Sequence, residues 1–223
     1  MHIIDLASWN ITQIHEHTFR GINNLKRLNL NINKLTQLKP LVFRGLYDLE
    51  TLNLNFNRIQ NLPDFIFDDL ENLLKLTMSS NELASLSPFI FRKLKNLKYL
   101  DLSNNKLQRL EDSYFEGLTQ LERLDLNDNN LNVLYSLLFN DLHNLKSLFL
   151  QGNRLVTIDK YLFSGLVNVK EIDLSENRLK DLDSSMLRGL NSLEVLILIG
   201  NDAITNVEEK MFEGLAKFKN FYL

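Results

Sequence analysis

The chain has 223 residues, of which 44% are hydrophobic and 24% are charged, and its net charge is −3. This composition excludes an intrinsically disordered chain, and the near-neutral charge gives no support to nucleic-acid binding. Cysteine is absent, which excludes disulfides, thiolate nucleophiles and metal sites built on sulfur.

A repeat of 24 residues runs through the chain, with the consensus LxxLxLxxNxLxxLxxxxFxxLxx, whose positions we number from 1 to 24. Nine repeats begin at residues 1, 25, 49, 73, 97, 121, 145, 169 and 193, and a partial tenth begins at 218. A single repeat cannot bury its own apolar residues, so neighbouring repeats must stack. We therefore predict one domain over residues 1–223.

Each repeat is predicted to begin with a short β-strand, because apolar side chains at positions 4 and 6 alternate with polar ones, as in Leu100 and Leu102. Asparagine follows at position 9, where its amide can pair with backbone groups as the chain leaves the strand. Stacked repeats would turn these asparagines into a ladder. Phenylalanine at position 19 is expected to pack the outer arc, where Leu187 is the exception.

The outer arc needs more room per repeat than the strands, which lie about 4.8 Å apart in a sheet. This mismatch predicts a curved, right-handed solenoid of the α/β type. Its concave face is a parallel β-sheet, and its convex face consists of irregular or short helical arcs.

The repeat resembles the "typical" class of extracellular leucine-rich-repeat proteins, which includes Toll-type receptors, Slit-like proteins, chaoptin and small leucine-rich proteoglycans. The resemblance covers essentially the whole chain through its period, its asparagines and its phenylalanines. It implies an extracellular or membrane-anchored ectodomain that acts in recognition, adhesion or receptor signalling. It does not select one member, because these motif residues belong to the shared scaffold.

The first coil departs from the consensus, since Trp9 occupies the asparagine position and Asn10 follows it. Asn10, Ile11 and Thr12 form an N-glycosylation acceptor pattern. One such match is also expected by chance in a chain this rich in asparagine. Asn10 is therefore a glycosylation candidate.

The last full coil carries one extra residue, because Ile204, Val207 and Phe212 each come one place late after Asn201. A local bulge in the arc is expected. Secreted members of the resembled family usually close both ends with disulfide-bonded caps, and this chain has no cysteine. We therefore expect a fragment that lacks both caps, with any signal peptide or membrane anchor outside it.

No catalytic or metal-binding constellation is recognisable. The four histidines lie at residues 2, 15, 17 and 143, and the His15–His17 pair lacks a third or fourth ligand nearby. Glycine-rich phosphate loops and nucleophile motifs are not found. The sequence predicts a protein that is not an enzyme and needs no cofactor or metal.

The concave face is predicted to carry recognition, because side chains at positions 3, 5 and 7 point away from the core and are free to vary. Asp101 and Asp125 lie on adjacent strands as a like-charge pair, which Lys75 and Arg123 could compensate. Such a pair is either part of the scaffold or a site for a cation or a basic partner.

A second group on this face is apolar and predicts contact with a partner, since aromatic anchors often dominate binding energy. Alternatively, its last-strand members are covered by sequence further along. Ile32 and Phe56 at position 8 mark a weaker candidate at the rim. The apolar group consists of Tyr99, Phe149, Val195, Ile197 and Ile199.

Three functional hypotheses follow. The first is a segment of a receptor or adhesion protein that binds a protein ligand or co-receptor on its concave face, without nucleic acid or membrane contact. The second is a matrix protein that self-associates, as a homodimer through the concave face or the exposed ends. The third is an intracellular leucine-rich-repeat scaffold.

Overall fold

The computed structural model describes residues 2–223, so the predicted repeat start at Met1 lies outside it. These residues form one curved sheet of ten parallel three-residue strands and one short 3-10 helix, Glu209–Phe212. The strands are β1 Ile3–Asp5, β2 Arg27–Asn29, β3 Thr51–Asn53, β4 Lys75–Thr77, β5 Tyr99–Asp101, β6 Arg123–Asp125, β7 Ser147–Phe149, β8 Glu171–Asp173, β9 Val195–Ile197 and β10 Asn220–Tyr222.

Neighbouring strands follow chain order and pair at equivalent repeat positions, so Leu100 lies beside Leu124. The register shifts only at the last pair, where Val195 lies beside Asn220 rather than one residue earlier. The extra residue of the last full coil is therefore taken up in its arc, which contains the 3-10 helix. The predicted fold class, a parallel-sheet solenoid with arcs that are almost entirely irregular, is confirmed.

The asparagine ladder satisfies buried backbone groups between coils. The Asn105 amide nitrogen donates to the carbonyls of Met78, Leu102 and Ser103 at 3.0–3.1 Å, and its oxygen accepts from the Leu83 N–H at 3.0 Å. The same pattern recurs in the other regular coils, and Asn201 in the last full coil donates to two carbonyls. The ladder thus links each strand end to the coils on both sides.

The phenylalanine ladder shows why the stack bends. Rings from Phe43 to Phe139 are fully buried and stack with centroids 6.1–6.4 Å apart. Equivalent points on adjacent strands lie only about 4.8 Å apart. Each coil is therefore wider at the arc than at the sheet, which places the strands on the concave face.

The arcs are chains of tight turns rather than helices. In the second coil, for example, the Val42 N–H donates to the Lys39 carbonyl at 3.1 Å and the Leu46 N–H to the Phe43 carbonyl at 3.2 Å. Within residues 2–223 no helix has the length and apolar character needed to cross a membrane.

Candidate functional site

The centre of the concave face carries a cluster built on Asp125, which we call the central cluster. The Tyr99 hydroxyl donates to Asp125 Oδ2 at 2.8 Å, and Arg123 Nε contacts the two carboxylate oxygens at 2.9 and 3.1 Å. The Arg123 guanidinium also lies 4.4 Å from the Phe149 ring centroid, and Lys75 Nζ lies 4.5 Å from that of Tyr99. Four neighbouring strands, β4 to β7, thus hold alternating cations and aromatic rings in contact.

The expectation that positions 5 and 7 face solvent is wrong for the middle strands. Asp101 is only 8% exposed and Asp125 only 4%. Asp125 lies under the side chains of Tyr99 and Arg123, which both bond to it. Asp101 accepts from the Ser103 backbone and hydroxyl at 3.0 and 2.7 Å. The two carboxylates therefore lie beneath the accessible surface. Their part in ligand binding stays a prediction, and from this position they would act by orienting neighbouring side chains rather than by contacting a ligand.

The compensation of the carboxylate pair also differs from the prediction. Arg123 pairs with Asp125 as expected, but Lys75 lies over the Tyr99 ring instead of contacting a carboxylate. Asp101 is stabilised by its hydrogen bonds with Ser103. Of this group, Lys75 and Arg123 are the members that present charge to solvent.

Burial governs the electrostatics of the central cluster. It is the largest influence on Asp125 and raises the pKa of that carboxyl above its ordinary 3.8, while the hydrogen bonds from Tyr99 and Arg123 act in the opposite direction. Burial, together with the bond to Asp125, also raises the pKa of the Tyr99 hydroxyl. Tyr99 therefore keeps its proton at neutral pH and donates a hydrogen bond to Asp125.

The remaining three members of the predicted apolar group lie at the C-terminal end of the concave face. Val195 and Ile197 are half-buried on β9, Ile199 is exposed just beyond it, and Ile197 pairs in register with the exposed Tyr222 of β10. This group is separated from the central cluster by β8, which carries Glu171 and Asp173. The predicted site residues thus form two separate patches.

The first coil places its unusual residues in solvent. Trp9 and Asn10 are both exposed, and Asn10 has a left-handed backbone with φ of 56°. Asn10 is therefore accessible to a glycosyltransferase, and its glycosylation is still a prediction. In the part of the chain that the structure describes, no three His, Cys, Asp or Glu side chains form a metal-binding group.

Two regular features were missed by the sequence interpretation. Position 8 has a left-handed φ in all nine coils, a requirement that glycine, asparagine, aspartate and serine at many of these positions could have signalled. A second asparagine ladder at position 24 ties the arcs together, as where Asn96 Nδ2 donates to the Glu71 carbonyl at 2.9 Å. Its other members are Asn72, Asn144 and Asn168.

Comparison with known proteins supports the repeat assignment. A family model described as "Leucine rich repeat" matches residues 1–59, 48–107, 95–155, 143–202 and 168–223, which together span the chain. No curated protein matches the sequence significantly.

Solved structures match between 87% and 99% of the chain. A chain of the TLR13–ssRNA13 complex is 30% identical with a TM-score of 0.90 over 99% of this chain. A chain of the Drosophila Toll–Spatzle complex is 30% identical with a TM-score of 0.82 over 87% of this chain. A chain of the octameric Latrophilin 3, Unc5D and FLRT2 complex is 25% identical, with a TM-score of 0.80 over 88% of this chain and 60% of that one. This chain spans 32% and 26% of the first two matched chains.

Proposed function

Because the chain belongs to the leucine-rich repeat family, we propose that it is a protein-binding module that receives a protein ligand on its concave face. We further propose that it is a segment of an extracellular receptor or adhesion protein. The similar chains come from complexes of Toll with Spatzle and of FLRT2 with Latrophilin 3 and Unc5D, which supports this class of activity.

The observation that carries the proposal is the central cluster. Asp125 accepts a hydrogen bond from Tyr99 and pairs with Arg123, whose guanidinium also lies over the Phe149 ring. Side chains ordered before binding lose little conformational entropy when a partner arrives. Tyrosine and arginine are also enriched among the residues that dominate interface energies. The cluster is thus a pre-organised anchor in the middle of the sheet.

A protein ligand suits the charge of this face better than nucleic acid does. Three cations and three carboxylates at positions 3, 5 and 7 reach solvent, because Asp101 and Asp125 are buried, and a phosphate backbone needs an excess of cations. The single-stranded RNA in the TLR13 complex is the reason to test this point directly. The accessible residues compared are the cations Arg27, Lys75 and Arg123 and the carboxylates Asp5, Glu171 and Asp173.

The experiment is capture of cross-linked partners from extracellular extract by the protein and by a Tyr99→Ser, Phe149→Ser double variant. Tyr47→Ser is the matched control, because Tyr47 is exposed on an arc and makes no contact with the central cluster. We expect the double variant to lose the partner and the control to keep it.

Three outcomes would overturn the proposal. Equal capture by the double variant would remove the concave face from consideration. Competition by single-stranded RNA would point to a nucleic-acid ligand. A stable dimer of the purified chain in light scattering, disrupted by the double variant, would favour the self-associating matrix protein instead.

A further inference from the structure

The rim where the chain leaves the sheet carries two bulky apolar residues on an unfavourable backbone. Ile32 and Phe56 occupy position 8 in adjacent coils with φ of 52° and 53°. A left-handed backbone is disfavoured for any residue other than glycine, and most strongly for β-branched and bulky ones. The other seven coils place smaller or polar residues there: Ser8, Ser80, Asn104, Asp128, Gly152, Glu176 and Gly200.

These two side chains do not contribute to the core in return. Ile32 is 54% exposed and Phe56 is 56% exposed. Their backbone N–H groups donate to the carbonyls of Asn55 at 3.0 Å and Ser79 at 2.9 Å, which fixes the residues side by side at the sheet edge. Backbone strain and exposed apolar surface at the same place indicate a contact surface rather than a packing requirement.

Unpaired positive charge borders the two apolar residues. Lys34 and Arg58 follow them by two positions, are exposed, and form no ion pair with any residue in 2–223. Arg58 lies close enough to Glu82 to help lower its pKa, but the main cause there is the bond from Lys106 at 3.0 Å.

Other charged rows are arranged differently. On the opposite flank, position-2 charges neutralise one another across coils, as in the 3.0 Å pair of Lys26 with Glu50. Further along the same rim, Arg178 follows the acidic Glu176 rather than an apolar residue. Within the described residues, the second and third coils are thus the only adjacent pair on this rim in which an exposed apolar side chain lies next to an unpaired cation.

We propose that Ile32, Phe56, Lys34 and Arg58 form a second contact surface, which we call the rim surface, for an acidic segment of a protein partner. A large apolar side chain of that segment lies between Ile32 and Phe56, and its carboxylates face Lys34 and Arg58. Charge complementarity selects the occupant, because two cations beside an apolar pair match a sequence that mixes Asp or Glu with Leu or Phe. The inference rests on the proposed function, since the occupant is a protein.

The test measures binding of a short fluorescein-labelled peptide of Glu and Leu by fluorescence polarisation. The rim variants are Ile32→Asn with Phe56→Asn, and Lys34→Glu with Arg58→Glu. Asparagine tolerates a left-handed backbone, so the first pair is expected to fold normally, which circular dichroism checks. The matched control is Glu176→Asn with Arg178→Glu, at the same positions in another coil.

We expect each rim variant to bind the peptide at least about tenfold more weakly and the control pair to bind it unchanged. A peptide with Lys in place of Glu should not bind. Absence of binding to the unmodified protein, or equal binding by the rim variants, would overturn the inference. Loss of binding in Tyr99→Ser with the rim variants unaffected would also overturn it, while leaving the proposed concave-face function standing.

Discussion

Replacing Tyr99 by phenylalanine removes one hydroxyl from the central cluster and keeps the ring. The lost interaction is the 2.8 Å hydrogen bond to Asp125, which is only 4% exposed. Lys75 can still lie over the ring, and Arg123 still contacts both carboxylate oxygens. The substitution therefore isolates a single charged hydrogen bond inside the candidate site.

The expected loss of stability can be estimated from this geometry. A hydrogen bond to a charged group contributes about 1.5–3 kcal/mol. Asp125 keeps its two contacts with Arg123, so the lower end applies, about 1.5 kcal/mol. With a urea dependence of about 3 kcal/mol per molar for a chain of this size, the unfolding midpoint should fall by about 0.5 M.

The loss should also depend on pH. The Tyr99 hydroxyl bonds the ionised carboxylate and so acts to lower the pKa of Asp125, against the larger effect of burial, which raises it above 3.8. Without the hydroxyl, the folded-state pKa of Asp125 rises further. The stability that the Tyr99 hydroxyl contributes is thus present at pH values above the folded-state pKa of Asp125, where the carboxylate is ionised. It is lost as the pH falls through that pKa.

Urea unfolding of both proteins at neutral pH and at about pH 3.5 measures these differences. Tyr222→Phe is the matched control, because Tyr222 lies exposed on the edge strand β10 and makes no side-chain hydrogen bond within the described residues. Equal midpoints for the two substitutions, or a Tyr99→Phe loss that grows on acidification, would refute the reasoning.

Three further substitutions test the scaffold by the same urea unfolding. Asn129→Ala leaves the buried Leu107 N–H without its 3.0 Å acceptor and removes one of the donors to the carbonyls of Leu102, Leu126 and Asn127, so we expect a loss of about 2–3 kcal/mol; a negligible loss would contradict the ladder. Gly165→Ala brings a Cβ within 2.3 Å of the Asn140 carbonyl oxygen and should cost about 1–3 kcal/mol, whereas unchanged stability would show that the arcs separate easily. Phe91→Ala empties a fully buried place between two stacked rings and should cost about 3–5 kcal/mol; a loss below that of an exposed substitution would contradict the stacking.

The molecule consists of a scaffold and two proposed contact surfaces. The scaffold is held by the asparagine and phenylalanine ladders, which lie inside the coils and leave the concave face free to vary. The central cluster and the rim surface lie at different places on that scaffold, at the middle strands and at the second and third coils. A ligand that spans both would contact two coils of the rim and four central strands, and the separate variants distinguish the contributions.

The sequence by itself determined the period, the strand at the start of each coil and the buried asparagine at its end. These features depend on residues that recur at a constant spacing, so identical local chemistry in each coil is enough to specify them. The late arrival of Phe212 likewise revealed the extra residue of the last full coil, from which a bulge in the arc was predicted, and the structure shows the matching one-residue offset of Val195 beside Asn220.

Only the tertiary structure decided which concave side chains are accessible. Tyr99 and Asp125 are 26 residues apart in the sequence. They form a hydrogen bond because their strands, β5 and β6, are neighbours and the Tyr99 side chain extends over β6. This direction of the Tyr99 side chain buries Asp125 and places the ring beneath the Lys75 ammonium group. The alternation of residues along a strand does not reveal that direction. The pattern of a strand defines the face to which each side chain points. The solvent exposure of that side chain depends on the size and rotamer of neighbouring side chains from other coils.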